Sequence, residues 1–307
     1  MNELTGALKI ILPVVLMLAI GIVCRKTGVL KKGGIDGLKA AVVNVFLPAV
    51  LIKAFYQAEY TPRIAIVTVT MFAVCIAALA AGFGANKLLR SDARTMPFLM
   101  TGFEAGMLGY ALYALLFKTV TPFATVDLGQ VLFVFTVYFT LLKKSEGGTL
   151  KSSLKAMITS PVIVSIAIGV IVGVTGLGQR MEGTASGDIV RNILEFVSAP
   201  TAAVILIVVG YELELKKGAL ALAMAAVGIR LVIMGVLCTL TLLLVSLLNP
   251  VDTLLFWAFI LMFLLPPPFV LPVFVRGEDE SAFVSATLSL STLISLAAFA
   301  VITVLVT

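Results

Sequence analysis

The sequence predicts an all-α integral membrane protein: ten transmembrane helices in a 5+5 inverted repeat, interrupted in runs four and nine. Three observations predict it. Hydrophobic residues make up 61% of the 307 positions and charged residues only 12%, against about 25% charged in a soluble domain. The apolar residues gather into about ten runs near the ~20 residues that cross a ~30 Å hydrocarbon layer. The second half echoes the first, and five runs per half is an odd number, so the halves lie inverted.

In order, the runs cover residues 8–24, 40–57, 63–89, 96–118, 122–142, 160–178, 189–213, 218–248, 252–275 and 281–306. Run one resembles a signal peptide in its apolarity, but Glu3 spoils the positive leader and no small-residue cleavage site follows, so it reads as an uncleaved helix. Run two contains Pro48, which cannot donate to the Asn44 carbonyl. Runs three to six open on Thr61-Pro62, Met96-Pro97, Thr121-Pro122 and Ser160-Pro161, where a first-turn proline gives up no hydrogen bond. Run seven carries Pro200 and run eight Arg230, Asp252 suits the N-cap of run nine, and run ten aligns Ser285, Ser289 and Thr292 on one face.

Lys and Arg set the orientation. Fifteen fall on one side: Arg25, Lys26, Lys31, Lys32, Lys39, Lys87, Arg90, Arg94, Lys143, Lys144, Lys151, Lys155, Lys216, Lys217 and Arg276. Six fall on the other, and Arg230 completes the 22. The basic side is cytoplasmic by this rule, which puts both termini outside. The +6 net charge forms no basic stripe, so nucleic acid is not a partner. The chain has no histidine and three scattered cysteines, which removes imidazole catalysis and leaves no metal or cofactor site. No nucleophile–base pair is recognisable, so the chain does not read as an enzyme. Short loops and the lack of a phosphate-binding Walker motif exclude ATP-driven transport by this chain alone.

Interruptions at matching places in two halves point to a site near the bilayer midplane. Run four reads TGFEAGMLGYA, with Gly102, Gly106 and Gly109 around Glu104, and glycine weakens a helix by ~1 kcal/mol relative to alanine. Run nine reads LMFLLPPPFVLPVF; Pro266, Pro267 and Pro268 remove three successive donors and push Leu265 out of helical geometry. Such backbone persists only inside protein or beside a watery cavity, and a half-helix starting after the break would direct its positive end there. Glu104 and Arg230 are the charges deepest in apolar runs, each costing at least ~2.5–3.5 kcal/mol at a bilayer centre. A carboxyl can escape that cost by taking up a proton, whereas arginine stays charged and needs a carboxylate or carbonyl partner. Lys53, Lys118, Asp127, Glu212 and Glu214 read as snorkelling or interfacial.

Together, ILPVVLMLAIGIVCRKTGVL, VVNVFLPAVLIKAF, FEAGMLGYALYALLF, SPVIVSIAIGVIVGVTGL, APTAAVILIVVGYEL and the final PPPFVLPVFV…LSTLISL resemble the auxin efflux carrier family of membrane transporters, in its bacterial form with a short central loop. The family is related to the bile acid/sodium symporters. The resemblance implies repeats over residues 1–145 and 146–307, with helices one, two, six and seven as a scaffold and dimer surface. Helices 3–5 and 8–10 would form a mobile core whose broken helices four and nine cross at the substrate. It implies a homodimeric carrier of small carboxylates such as malate or malonate, moving by an elevator-like shift. Glu104 stands where the family motif has asparagine, and Ala111 where it has proline.

The expectation is therefore a secondary transporter of a small organic anion in the plasma membrane, symporting protons. Glu104 would couple the proton. Ala105, Gly106, Gly109, Pro267, Pro268 and Pro272 would supply the crossover backbone, with Asn44 a polar point nearby and Arg230 a counter-charge. The competing readings are a sodium-coupled symporter and a non-transporting membrane sensor.

Overall fold

The computed structural model describes residues 2–56, 62–89, 93–145, 159–181, 183–214, 217–275 and 277–307. Among the described residues all regular structure is helical, with no strand. Seven helices are long and apolar enough to cross a membrane: Thr5–Thr27, Lys32–Tyr56, Pro62–Leu88, Thr121–Leu142, Ala185–Glu212, Leu220–Leu248 and Glu278–Val306. Ala105–Phe117, Pro161–Val174 and Thr253–Leu264 are shorter apolar helices. Their outward faces suit lipid; Val232, Val236, Leu243 and Leu247 along Leu220–Leu248 are all exposed. The chain is thus an all-helical protein built to sit in a membrane.

The helices follow the apolar runs with informative differences. Run two begins at Lys32, eight residues before its apolar stretch, because the glycine-rich KGGIDGLKAA forms an amphipathic helix of nearly three turns that buries Ile35. Pro48 is absorbed by a widened π turn over Val42–Phe46. Run six ends at Val174, and a separate short helix, Leu177–Met181, follows. Run seven bends at Ala199-Pro200. Thr61, Arg90, Lys151, Lys155, Lys216 and Arg276, used above for helix starts and orientation, lie outside the described residues.

The helical segments, numbered as the runs they follow, pack side by side in two groups. In one, segment one lies along segment seven and segment two along segment six. Glycines let these backbones approach closely. A Cβ on Gly21 would sit 2.7 Å from Tyr211 N, and one on Gly169 would sit 2.7 Å from Phe55 Cβ. In the other group, segment three packs on five and segment eight on ten, with the interrupted segments four and nine between them.

Asp252 starts segment nine as an N-cap, its Oδ1 accepting from Leu255 N at 2.8 Å, while Oδ2 accepts from Arg63 Nη2 at 2.6 Å. Partial burial raises its carboxyl, but the Leu255 N–H and the Arg63 guanidinium outweigh that and hold it below the ordinary aspartate value. A depressed carboxyl stabilises the fold above its unfolded pKa, about 3.9, and loses that contribution as pH falls through the folded value. Asp252→Ala should therefore cost about 1 kcal/mol at neutral pH. Thermal melts in detergent should show the gap from the parent closing toward the acid end of the titration.

Candidate functional site

Segment four is helical over Met96–Leu99, open from Met100 to Glu104, and helical again from a π turn at Ala105–Gly109 into Tyr110–Phe117. Gly102 takes φ +68°, a conformation that strains other residues, and a Cβ there would meet Pro268 Cγ at 2.9 Å. Segment nine is helical over Thr253–Leu264, open at Leu265–Val270, and ends in a single 3-10 turn, Leu271–Phe274. The expected second half-helix of run nine is thus only one turn: Pro272 again withholds a donor, and Gly277 at φ +95° separates it from segment ten.

The two openings meet. Glu104 N donates to Pro266 O at 2.8 Å, the direct backbone bond between the breaks. Carbonyls released by the interruptions find partners one by one. Arg230 donates from Nη1 to Leu99 O at 2.8 Å, and from Nη2 to Gly102 O at 2.8 Å and Leu265 O at 3.2 Å. Ser295 Oγ donates to Leu264 O, Gln130 Nε2 to Phe103 O at 2.9 Å, and Tyr138 OH to Phe98 O at 3.3 Å. Arg230 is 3% exposed, with its guanidinium carbon 5.7 Å from the Phe103 ring centre. A planar fork of donors among the carbonyl ends of two helices is the arrangement arginine suits best.

Glu104 does the converse for N–H groups. Its Oε1 accepts from Met107 N at 2.9 Å, capping the second helix of segment four, and its Oε2 accepts from Phe269 N across the crossing. The carboxylate therefore ties the two broken segments together. Glu104 and Arg230 do not pair with each other; each is compensated by backbone groups of the crossing. No known protein family and no curated protein matches the chain.

Of the other expected site residues, Ala105, Gly109, Pro267 and Pro268 are buried at the crossing and Gly106 is half-buried there. A Cβ on Gly109 would reach Leu265 Cδ1 at 2.7 Å, so this glycine lets segment nine approach. Pro272 lies on a cavity wall. Asn44 stays apart: it is exposed, and its amide donates back to Ala40 O at 2.7 Å.

Asp127 corrects the interfacial reading. It is 2% exposed, accepting from Tyr110 OH at 3.0 Å and Gln130 Nε2 at 3.2 Å. Its place six residues into Thr121–Leu142, about 9 Å along the axis, with a polar partner three positions on, was the available sequence signal.

Two cavities flank the crossing at opposite ends of Lys32–Tyr56. One, of about 570 Å³, is lined by Lys32, Lys39, Glu212, Phe269, Pro272 and the Ser285–Ser289–Thr292 ridge. In that ridge Ser289 Oγ also accepts from Glu214 N at 2.9 Å. The other, of about 260 Å³, is lined by Lys53, Tyr110, Lys118, Thr121 and Thr201. Ion pairs Lys39–Glu212 and Lys53–Glu195 stand near the respective mouths.

Arg230→Met should leave the three carbonyls of Leu99, Gly102 and Leu265 without this donor and cost about 1–3 kcal/mol for each left unsatisfied. Thermal melts in detergent check this. A residue that served only as a substrate counter-charge would leave the melt unchanged and raise KM alone.

Proposed function

We propose that the chain is a secondary active transporter of a small organic anion, a carboxylate such as malate or malonate, coupled to protons and working by alternating access. The observation that carries this reading is the Glu104 carboxylate at the crossing of two interrupted segments, accepting N–H groups from both while cavities open at opposite ends. A carboxylate substrate needs the kind of donors that Glu104 occupies. When Glu104 takes up a proton, its claim on the Met107 and Phe269 N–H groups weakens and an incoming anion meets no like charge. Substrate and proton then load together.

The finer architecture belongs to the same proposal: ten membrane helices as a 5+5 inverted repeat over residues 1–145 and 146–307. An inverted repeat relates segment one to six and two to seven, so contact one–seven must recur as six–two, and three–five as eight–ten. The observed packing supports both. Segments one, two, six and seven are the scaffold and homodimer surface, and the rest are the moving core. The chain is a carrier, not an enzyme, in the plasma membrane with both termini outside, as the resemblance to bacterial auxin efflux carriers implies.

The test is uptake of labelled malate and malonate into proteoliposomes, with and without an imposed pH gradient, in sodium-free buffer. Gradient-driven uptake is expected. Glu104→Gln should cut the response to the gradient by about a hundredfold or more, the lower end of the range for removing a proton-transferring group. Full gradient dependence in that variant sinks the coupling role, and uptake that appears only when a sodium gradient is added replaces the proton.

A further inference from the structure

The carrier mechanism above uses one buried carboxyl and leaves another, Asp127, without a task. Asp127 sits on segment five behind the broken stretch of segment four. Both of its oxygens have donors, Tyr110 OH and Gln130 Nε2. The same Gln130 nitrogen holds Phe103 O, the carbonyl next to Glu104. Gln130 Oε1, by contrast, is buried and has no hydrogen-bond partner among the described residues. An unpaired amide oxygen in a dry interior lacks an O–H or N–H donor. A carboxyl that takes up a proton becomes such a donor, and Asp127 is already bonded to the nitrogen of this same amide.

Tyr110 touches Asp127 and also lines the cavity at the Lys53 and Lys118 end, whereas Glu104 bonds to Phe269, which lines the cavity at the opposite end. The two buried carboxyls are thus each bonded to a residue that lines a different cavity.

We infer that Asp127 is a second proton-binding site, loaded through Tyr110 from the cavity at the Lys53 and Lys118 end. The Tyr110 hydroxyl gives its proton to Asp127 Oδ2 and takes one from a hydronium ion in the cavity, which leaves as water. One O–H bond breaks and one forms at each transfer, and the net change is one proton on Asp127. The assignment of this proton to the transport cycle rests on the carrier reading; its binding does not. The groups facing Asp127 are Tyr110 and Glu104 from segment four and Cys75 from segment three. Segment nine brings no titratable side chain over Thr253–Leu264. Segment two turns Lys53 to Glu195, and Arg230 is held by carbonyls.

Infrared difference spectra of the protein in nanodiscs, recorded on acidification, test this without knowledge of the substrate. The parent should show a protonated-carboxyl band that exchanges slowly in heavy water, and Asp127→Asn should lose about half of it, the remainder belonging to Glu104. Tyr110→Phe should keep the band but slow its appearance after a pH jump. Asp127→Glu, which keeps a carboxyl, should shift the band, and decides the matter if the asparagine variant does not fold. An Asp127→Asn spectrum that superimposes on the parent's overturns the inference, as does a parent with no such band. In the malate assay, Asp127→Asn should lose gradient-driven uptake while retaining exchange; unchanged gradient drive removes Asp127 from the cycle. A parent that carries no malate in any mode refutes the carrier reading, and the infrared titration still decides Asp127.

Discussion

Two helices can stop and restart inside a membrane only if the carbonyls they release are satisfied from within the protein. Arg230 meets that constraint for both interruptions at once. Its guanidinium reaches Leu99, Gly102 and Leu265, so one side chain on an otherwise regular helix, Leu220–Leu248, holds segments four and nine in register. A lysine could not span this set, because its donors radiate from one point. The glycine at 102, the close approach at Gly109 and the bond from Glu104 N to Pro266 O all presuppose that register.

Opposite the cation stands an anion of matching logic. Glu104 gathers N–H groups as Arg230 gathers carbonyls, so acceptors and donors of the two breaks are satisfied by two different side chains. The arrangement stores chemistry in the Glu104 carboxylate. Unlike the guanidinium, it can change charge, and doing so alters the bond between the two broken segments at the point where they face a cavity. Asp127, linked through Gln130 to the Phe103 carbonyl, adds a second such group within electrostatic reach of the first. Five buried side-chain oxygens lack a hydrogen-bond partner among the described residues, and Gln130 Oε1 is the one whose own amide nitrogen bonds to Asp127.

Much of this was legible in the residues. Run length and apolarity marked the membrane helices, because the backbone has no alternative to internal hydrogen bonding there. Three consecutive prolines and a glycine cluster marked both interruptions, since these residues change what the backbone itself can do. The depth of Glu104 and Arg230 marked them as residues in need of partners. Other features were not legible. Asp127 passed for an interfacial residue, because distance along a run does not say which face meets protein. Asn44 sat beside a helix-breaking proline yet stays outside the crossing, its amide satisfied one turn back.

The sequence by itself determined where the helices run and where they break, because both follow from local chemistry: apolar length, missing N–H donors and the freedom of glycine. Only the tertiary structure decided what the charges at the breaks are for. Arg230 lies 131 positions from the Leu99 carbonyl it holds, and Glu104 lies 165 positions from the Phe269 N–H it accepts. A hydrogen bond depends on distance and direction in space, and no periodicity along the chain encodes contacts at such separations.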